Sequence, residues 1–413
     1  MMTAEQLQEK TERARAVLPA LLDEKTRRRA LDLIGQALLL NKEEILSANE
    51  RDLEGAKRQG LPSAMCDRLL LTDERLFSIV EGIKQVALLP DPLGVEKSYT
   101  LENGLLIQKH RVPLGVIAMI YEARPNVTVD AAVLTLKSGN AVILKGGKEA
   151  FFTNTALVKV MKGALAALHL EDAVYLVEDT DRAVVDVLLT MRGQIDLVIP
   201  RGGKGLIRHV VDHAKVPVIE TGAGNCHLYV HEKADLQKAL KVLINAKVSR
   251  PSVCNATETL ICDKAVAPAF LKMADEALSA LNVELRADEQ ALLLMPHAVA
   301  STEEDFATEY NDYILAVKTV AGIEEAVAHI AKYGTRHSEA ILTEDDAAAE
   351  YFMARVDAAA VYRNASTRFT DGGVFGMGAE IGISTQKLHA RGPFALEALT
   401  TWKYKIYGEG QTR

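Results

Sequence analysis

Apolar positions along residues 4–90 recur at helical spacing. Ala14, Val17, Leu18, Leu21 and Leu22 form one stripe, and Leu31, Ile34, Leu38 and Leu39 form another. Thr72-Asp73-Glu74 puts acidic residues in the first turn of a helix expected over 75–86, and Pro90-Asp91-Pro92 closes the helical region. The pattern then changes. Residues 95–101 and 105–112 flank Glu102-Asn103-Gly104, a hairpin signal, and their polar alternation suits a ribbon that projects and pairs with something, such as another subunit. From Gly115 strand and helix alternate. The run 116–121 is nearly unbroken apolar, as in a strand buried on both faces. Helices are expected over 127–137, 152–168, 182–191 and 206–213, and strands over 141–145, 174–177, 195–199 and 216–219. After a strand at 228–230 the alternation restarts: helix 235–247, strand 258–262, helix 266–280, strand 313–318, helix 323–332, strand 339–342, helix 345–355 and strand 358–362. A Gly-rich stretch, 371–382, and a strand-like segment, 396–407, follow. The alternation predicts an α/β protein of two doubly wound parallel-sheet domains, with ligands at the carboxyl ends of strands.

Composition narrows the class. A chain of 413 residues can bury two or three large cores, and 48% hydrophobic with 25% charged residues is the balance of a soluble globular protein. The net charge of −8 argues against a broad nucleic-acid footprint. The 4 cysteines (Cys66, Cys226, Cys254, Cys262) are too few for a disulfide framework, and no CxxC or CxxH spacing suggests a metal site. The polar N-terminus carries no secretory signal, and no apolar run is long enough to cross a bilayer. A cytoplasmic protein in a reducing compartment is expected.

Cys254 is the candidate nucleophile. It lies between an expected helix and an expected strand, and Pro251 keeps its surroundings non-helical. A thiol on such a loop can meet a substrate; taken locally, it reads sooner as a small buried hydrophobe, and the rest of the chain reverses that preference. Three Gly-rich turns follow strands of the first α/β stretch: Lys145-Gly146-Gly147-Lys148, Arg201-Gly202-Gly203-Lys204-Gly205 and Thr221-Gly222-Ala223-Gly224. None is a GxGxxG fingerprint or a P-loop, but glycines let a backbone approach a phosphate at a helix N-terminus, so a nucleotide site is expected there.

Several stretches together resemble the aldehyde dehydrogenase superfamily: Val112-Pro113-Leu114-Gly115-Val116, Arg124-Pro125-Asn126, the segment 136–145, Glu220-Thr221-Gly222-Ala223-Gly224 and the Cys254 loop. Within it, the segments 121–128, 250–256, 364–372 and 378–393 resemble the gamma-glutamyl phosphate reductase family. The resemblance runs nearly the whole chain. It implies an aldehyde-dehydrogenase-like fold: a cofactor-binding domain from 1–94 and 113–230, a catalytic domain from 231–365, and a β oligomerisation arm from 95–112 and 386–413. The implied activity is NADPH-dependent reduction of L-glutamyl 5-phosphate to glutamate 5-semialdehyde in proline biosynthesis, by way of a thioester on Cys254 with release of phosphate. Asn126 matches the side chain that binds the oxyanion. Glu220 matches a general base of the oxidising relatives; reduction needs no activated water, so here it is counted with the cofactor-binding positions, with a structural role as the alternative. Glu309 matches the carboxylate on the nicotinamide ribose.

The cofactor expected is NADP(H). Lys145 reaches the adenosine ribose, and Lys148 stands where NAD-using relatives place a glutamate; Gly202 and Gly203 join these as cofactor-binding positions. Lys148 alone also reads as a solvated surface charge. Arg124 is expected to receive the substrate's phosphate, or else to make a salt bridge elsewhere, and Ser366, Thr367 and Arg368 to meet its glutamate end. A homodimer or larger homo-oligomer is implied, and association with glutamate 5-kinase is a further candidate. Two other readings stand beside this one: a silent scaffold on the same fold, and an aldehyde dehydrogenase that forms an acyl-CoA.

Overall fold

The computed structural model describes residues 2–413, without the side chains of residues 63 and 64. Backbone contacts divide the chain into two units: Met1–Thr221 with Met377–Gly382 and Phe394–Arg413, and Gly222–Gly376 with Ile383–Pro393.

The first unit opens with helices Ala4–Ala16, Glu24–Leu40, Lys42–Arg58, Ser63–Leu69 and Asp73–Leu88. Thr3 and Gln6 form a capping box at the first of these, and Asp23 and Thr72 accept backbone N–H groups at two others. Four parallel strands follow in the spatial order Val174–Leu176, Ala141–Lys145, Val116–Tyr121, Leu197–Arg201. Every residue of Val116–Tyr121 is buried, as its unbroken apolar run requires. This strand comes first in the chain yet lies inside the sheet, so the winding reverses between it and Leu197–Arg201. Such a switch point opens a crevice at the carboxyl ends of the two strands. The helix Pro125–Lys137, apolar on almost every face, starts there. The expected strand over 216–219 is only an isolated bridge between Val198 and Val218. Pro217 has no N–H to give a ladder.

Strands Gly94–Thr100, Leu106–Pro113 and Thr400–Tyr407 form a separate antiparallel sheet with Leu106–Pro113 in the middle. The hairpin is as expected. The last strand leaves Trp402, Tyr404, Ile406 and Tyr407 exposed.

The second unit is a parallel sheet of seven strands, in the order Val299–Ala300, Glu284–Ala287, Ile314–Val320, Thr257–Asp263, Cys226–Val230, Ser338–Leu342, Ala360–Arg363. Again the strand that comes first in the sheet's sequence order, Cys226–Val230, lies inside. Cys226–Val230 pairs with Thr257–Asp263 and Ser338–Leu342, so the division between units falls at 221/222 instead of the expected position after 230. The strands Glu284–Ala287 and Val299–Ala300 fill a stretch in which the hydropathy pattern shows none. No helix among the described residues is long and apolar enough to cross a membrane.

Candidate active site

In the second unit Cys254 sits on the loop between helix Leu236–Val248 and strand Thr257–Asp263, in a turn, half-buried. Pro251 disfavours helical backbone just before it, which ends the helix. The turn is fixed from several directions. The Ala256 N–H donates to the Val253 carbonyl at 3.0 Å. The Cys226 thiol donates to the Cys254 carbonyl at 3.2 Å. The Gly224 backbone passes so close that a Cβ there would lie inside the Cys254 carbonyl oxygen, which leaves glycine as the only fit. The Gly224 N–H donates in turn to Glu309 Oε1 at 2.7 Å. Glu309 is thereby tied to the nucleophile loop through one residue.

The segment Ser366-Thr367-Arg368 is fastened to the same loop. The Thr367 hydroxyl, fully buried, donates to the Asn255 carbonyl at 2.7 Å, and Asn255 Nδ2 donates to the Thr370 carbonyl at 2.9 Å. Ser366 is buried and its hydroxyl accepts the Arg368 N–H at 3.3 Å. Two of the three residues expected to meet the glutamate end thus have hydroxyls that bond to the protein and support the loop. Arg368 contacts Asn255 Oδ1 and donates from Nε to Ser249 Oγ at 3.2 Å. Burial and the charge of Arg250 hold its guanidinium below the usual range, while Cys254 lies within electrostatic reach and opposes them. Below the loop, Lys247 and Glu258 make a fully buried ion pair at 2.6 Å that bridges helix and strand. Burial pushes the Glu258 carboxyl up and the Lys247 ammonium down; each offsets the other's desolvation. Burial also pushes the thiols of Cys226 and Cys262 up. Cys66 is half-buried beside a small apolar cluster.

The other expected site residues lie in the first unit. Asn126 is exposed in the first turn of helix Pro125–Lys137, and its Nδ2 donates to Asp130 Oδ2 at 3.3 Å. Both border a cavity of about 180 Å³ together with Arg124, Arg201 and Glu380. Asp130 is half-buried, and desolvation pushes its carboxyl up to about 6 against the Asn126 hydrogen bond and the Arg201 charge. Lys145 ends strand Ala141–Lys145 with 5% of its surface exposed, and Nζ donates to the Gly146 carbonyl at 3.2 Å. Desolvation holds its ammonium below the usual range, opposed by Asp179, Glu149 and Asp181. Lys148 is exposed at the start of the short turn Lys148–Ala150. Gly203 N–H donates to Glu122 Oε2 at 2.8 Å, and a Cβ at Gly202 would meet the same carboxylate at 2.7 Å. The anion at this expected phosphate turn is thus the protein's own Glu122. Glu220 is half-buried near the end of the unit's first segment.

Asp130, Arg201 and Glu380 are charged residues lining this cavity that the sequence reading does not single out. The spacing of Asn126 and Asp130, one helical turn apart, is the signal that could have found the first. Arg201 and Glu380 lie inside segments already singled out, but as neighbours of glycines.

The pattern that describes the aldehyde dehydrogenase family matches residues 1–305. The chain is 54% identical over 396 residues to gamma-glutamyl phosphate reductase of Carboxydothermus hydrogenoformans, covering 95% of each. It is 54% identical over 417 aligned positions to the enzyme of that name from Moorella thermoacetica, covering 100% of each. The crystal structure of gamma-glutamyl phosphate reductase from Thermotoga maritima superposes with a TM-score of 0.96 at 46% identity, over 98% of this chain and 99% of that one. The fold extends further: an acetylating aldehyde dehydrogenase from Geobacillus thermoglucosidasius reaches a TM-score of 0.71 at 16% identity, over 99% of this chain and 98% of that one. With parallel sheets, a cysteine loop and this identity across its length, the chain belongs to the gamma-glutamyl phosphate reductases of the aldehyde dehydrogenase family.

Proposed function

We propose that the chain catalyses the NADPH-dependent reduction of L-glutamyl 5-phosphate to L-glutamate 5-semialdehyde, with release of phosphate and with Cys254 as nucleophile. The observation that carries the reading is the state of the Cys254 turn. Its thiol is half-buried on a loop held by Cys226, Gly224 and Thr367, whereas Cys226 and Cys262 are fully buried with thiols pushed up. Sulfur of Cys254 attacks the acyl carbon, the carbon–oxygen bond to phosphate breaks, and a thioester remains. The Arg368 cation, within reach of Cys254, favours negative charge at the sulfur. Asn126, matched by resemblance, presents an amide donor for the oxyanion while its other contact, Asp130, holds the amide's orientation. When bound, the nicotinamide supplies a hydride to the acyl carbon. Cys254 is the leaving group of the reduced adduct: its carbon–sulfur bond would break with the electron pair going to sulfur, which departs as thiolate.

The residues present fit a phosphorylated dinucleotide. Lys145 is a desolvated ammonium at the carboxyl end of a parallel strand, bonded to the next residue's carbonyl, and Lys148 adds an exposed cation three residues on. Two ammonium groups suit a 2′-phosphate better than a bare ribose. Arg124 binds an anionic group of the substrate. The exposed aromatic and aliphatic side chains of Thr400–Tyr407 support a homo-oligomer built through the arm.

The test is a coupled assay with glutamate, ATP, a glutamate 5-kinase and NADPH. NADPH should disappear with an equal release of phosphate and without coenzyme A. No NADPH loss, or loss only on adding coenzyme A, overturns the reading.

A further inference from the structure

We propose that the cavity at the carboxyl edge of the first sheet recognises the α-amino-acid end of the substrate: Arg124 and Arg201 take its α-carboxylate, and Asp130 and Glu380 its α-ammonium. The inference rests on the reaction read above and names the groups of the first unit that select the substrate.

The cavity lies at the winding reversal between strands Val116–Tyr121 and Leu197–Arg201, with Arg201 the last residue of the second. Backbone ladders hold it rigidly: Tyr121 pairs with Arg201, and the Glu122 N–H donates to the Arg201 carbonyl at 3.1 Å. The charges bordering the cavity are two guanidinium and two carboxylate groups. A phosphate dianion entering there would gain two cations and meet two anions. A zwitterion presents one group of each sign and matches all four. The apolar lining, such as Met119 and Ile381, suits the methylenes between the amino-acid end and the reacting carbonyl.

Two details show binding groups prepared for an occupant. Arg201 Nε is buried and has no hydrogen-bond partner among the described residues. A buried donor in that state costs stability unless a ligand accepts from it, and a carboxylate does so in the fork geometry of guanidinium. Gly382 leaves room beside it, since a Cβ there would come within 3.3 Å of Arg201 Nη1. Asp130 is the second detail. Its carboxyl is pushed up to about 6 by desolvation, and the charge of an incoming ammonium would offset that shift by favouring the carboxylate.

The test runs the reaction in reverse, where the two ends of the substrate are separate molecules. Reduction of NADP is followed with L-glutamate 5-semialdehyde and inorganic phosphate varied independently. For Arg201→Gln and Asp130→Asn, the KM for the semialdehyde should rise at least tenfold while the KM for phosphate stays within twofold. Glutarate semialdehyde, which lacks the α-amino group, supplies a readout that a merely structural role would not move. The preference of the wild type for the amino-bearing aldehyde should shrink at least tenfold in Asp130→Asn and in Glu380→Gln. A rise in the phosphate KM with the semialdehyde KM unchanged would make the cavity a phosphate seat and overturn the proposal. So would wild-type constants for both substrates in variants that melt at the wild-type temperature. Asp130→Asn is isosteric and carries the test if Arg201→Gln does not fold. If the wild type reduces NADP with neither aldehyde, the reaction has been misread; calorimetric binding of L-glutamate, lost in Arg201→Gln, then still tests the cavity.

Discussion

The two units are alike in construction and opposite in where they place chemistry. In both, a parallel sheet has its first strand inside, between later strands. In the first unit the charged cavity stands at the carboxyl ends of Val116–Tyr121 and Leu197–Arg201. In the second, Cys254 precedes strand Thr257–Asp263 and so stands at its amino end, where helix Leu236–Val248 finishes. The carboxyl edge receives helix N-termini and suits anions; a helix C-terminus points carbonyls at its surroundings and disfavours them. A thiolate at the amino edge therefore needs cations from elsewhere. Arg368 is the cation within electrostatic reach of Cys254. The carboxyl ends, where ligands were expected, carry the first sheet's charged cavity, whereas the cysteine stands at an amino end.

The largest effect that sharpens this contrast comes from the sulfur itself. Cys254→Ala should abolish semialdehyde-dependent reduction of NADP and leave NADPH binding intact by fluorescence titration; a tenth of wild-type activity remaining would refute the assignment. Cys254→Ser should be nearly as inactive, since a hydroxyl without a base is a poor nucleophile. Next comes the cofactor edge of the first unit. Lys148→Glu should lower the ratio of kcat/KM with NADPH to that with NADH at least tenfold, chiefly through weaker NADPH binding, and an unchanged ratio means that the 2′-phosphate is read by other residues. The need for cations at the amino edge is tested by Arg368→Ala. Alkylation of Cys254 by iodoacetamide at neutral pH should slow by roughly three- to tenfold, the effect of losing one nearby cation at about 1 kcal/mol. An unchanged rate would show that the turn needs no such help. The smallest effect concerns the loop support. Thr367→Val leaves the Asn255 carbonyl without its hydroxyl donor and should cost about 1–3 kcal/mol in urea unfolding, with kcat lowered more than KM changes.

Much of the fold was legible because its strands are buried on both faces. The residues of Val116–Tyr121 and Ala141–Lys145 carry an apolar run that only a central parallel strand explains, and the structure has them within a residue of the expected bounds. Glu284–Ala287 was not legible, because a four-residue strand with one exposed end has too few positions to show a period. The strand expected over 216–219 failed for the opposite reason: the apolar residues are buried, but Pro217 breaks the ladder. At the site, Cys254 and Asn126 carried signals in their own neighbourhoods. The partners of Cys254, by contrast, come from Gly224, Cys226 and Thr367, which only the fold brings near. Ser366 and Thr367 show a limit of such reading: they are polar residues in a distinctive motif, and their hydroxyls bond to protein partners that the sequence alone does not reveal.

One feature of the division bears on how the chain acquires its structure. It crosses between units at 221/222, 376/377, 382/383 and 393/394. On the ribosome, then, neither unit can be completed before the last few dozen residues have emerged. The Asn140 amide, buried in the first unit, waits for the Leu399 carbonyl that it bonds at 2.9 Å, and strand Leu106–Pro113 waits with one edge open for Thr400–Tyr407. The nascent chain must hold that open edge until termination. A chain stopped at 393 should therefore be degraded or aggregate in a protease-protection assay, whereas a model of independent domains has its first 221 residues already resistant.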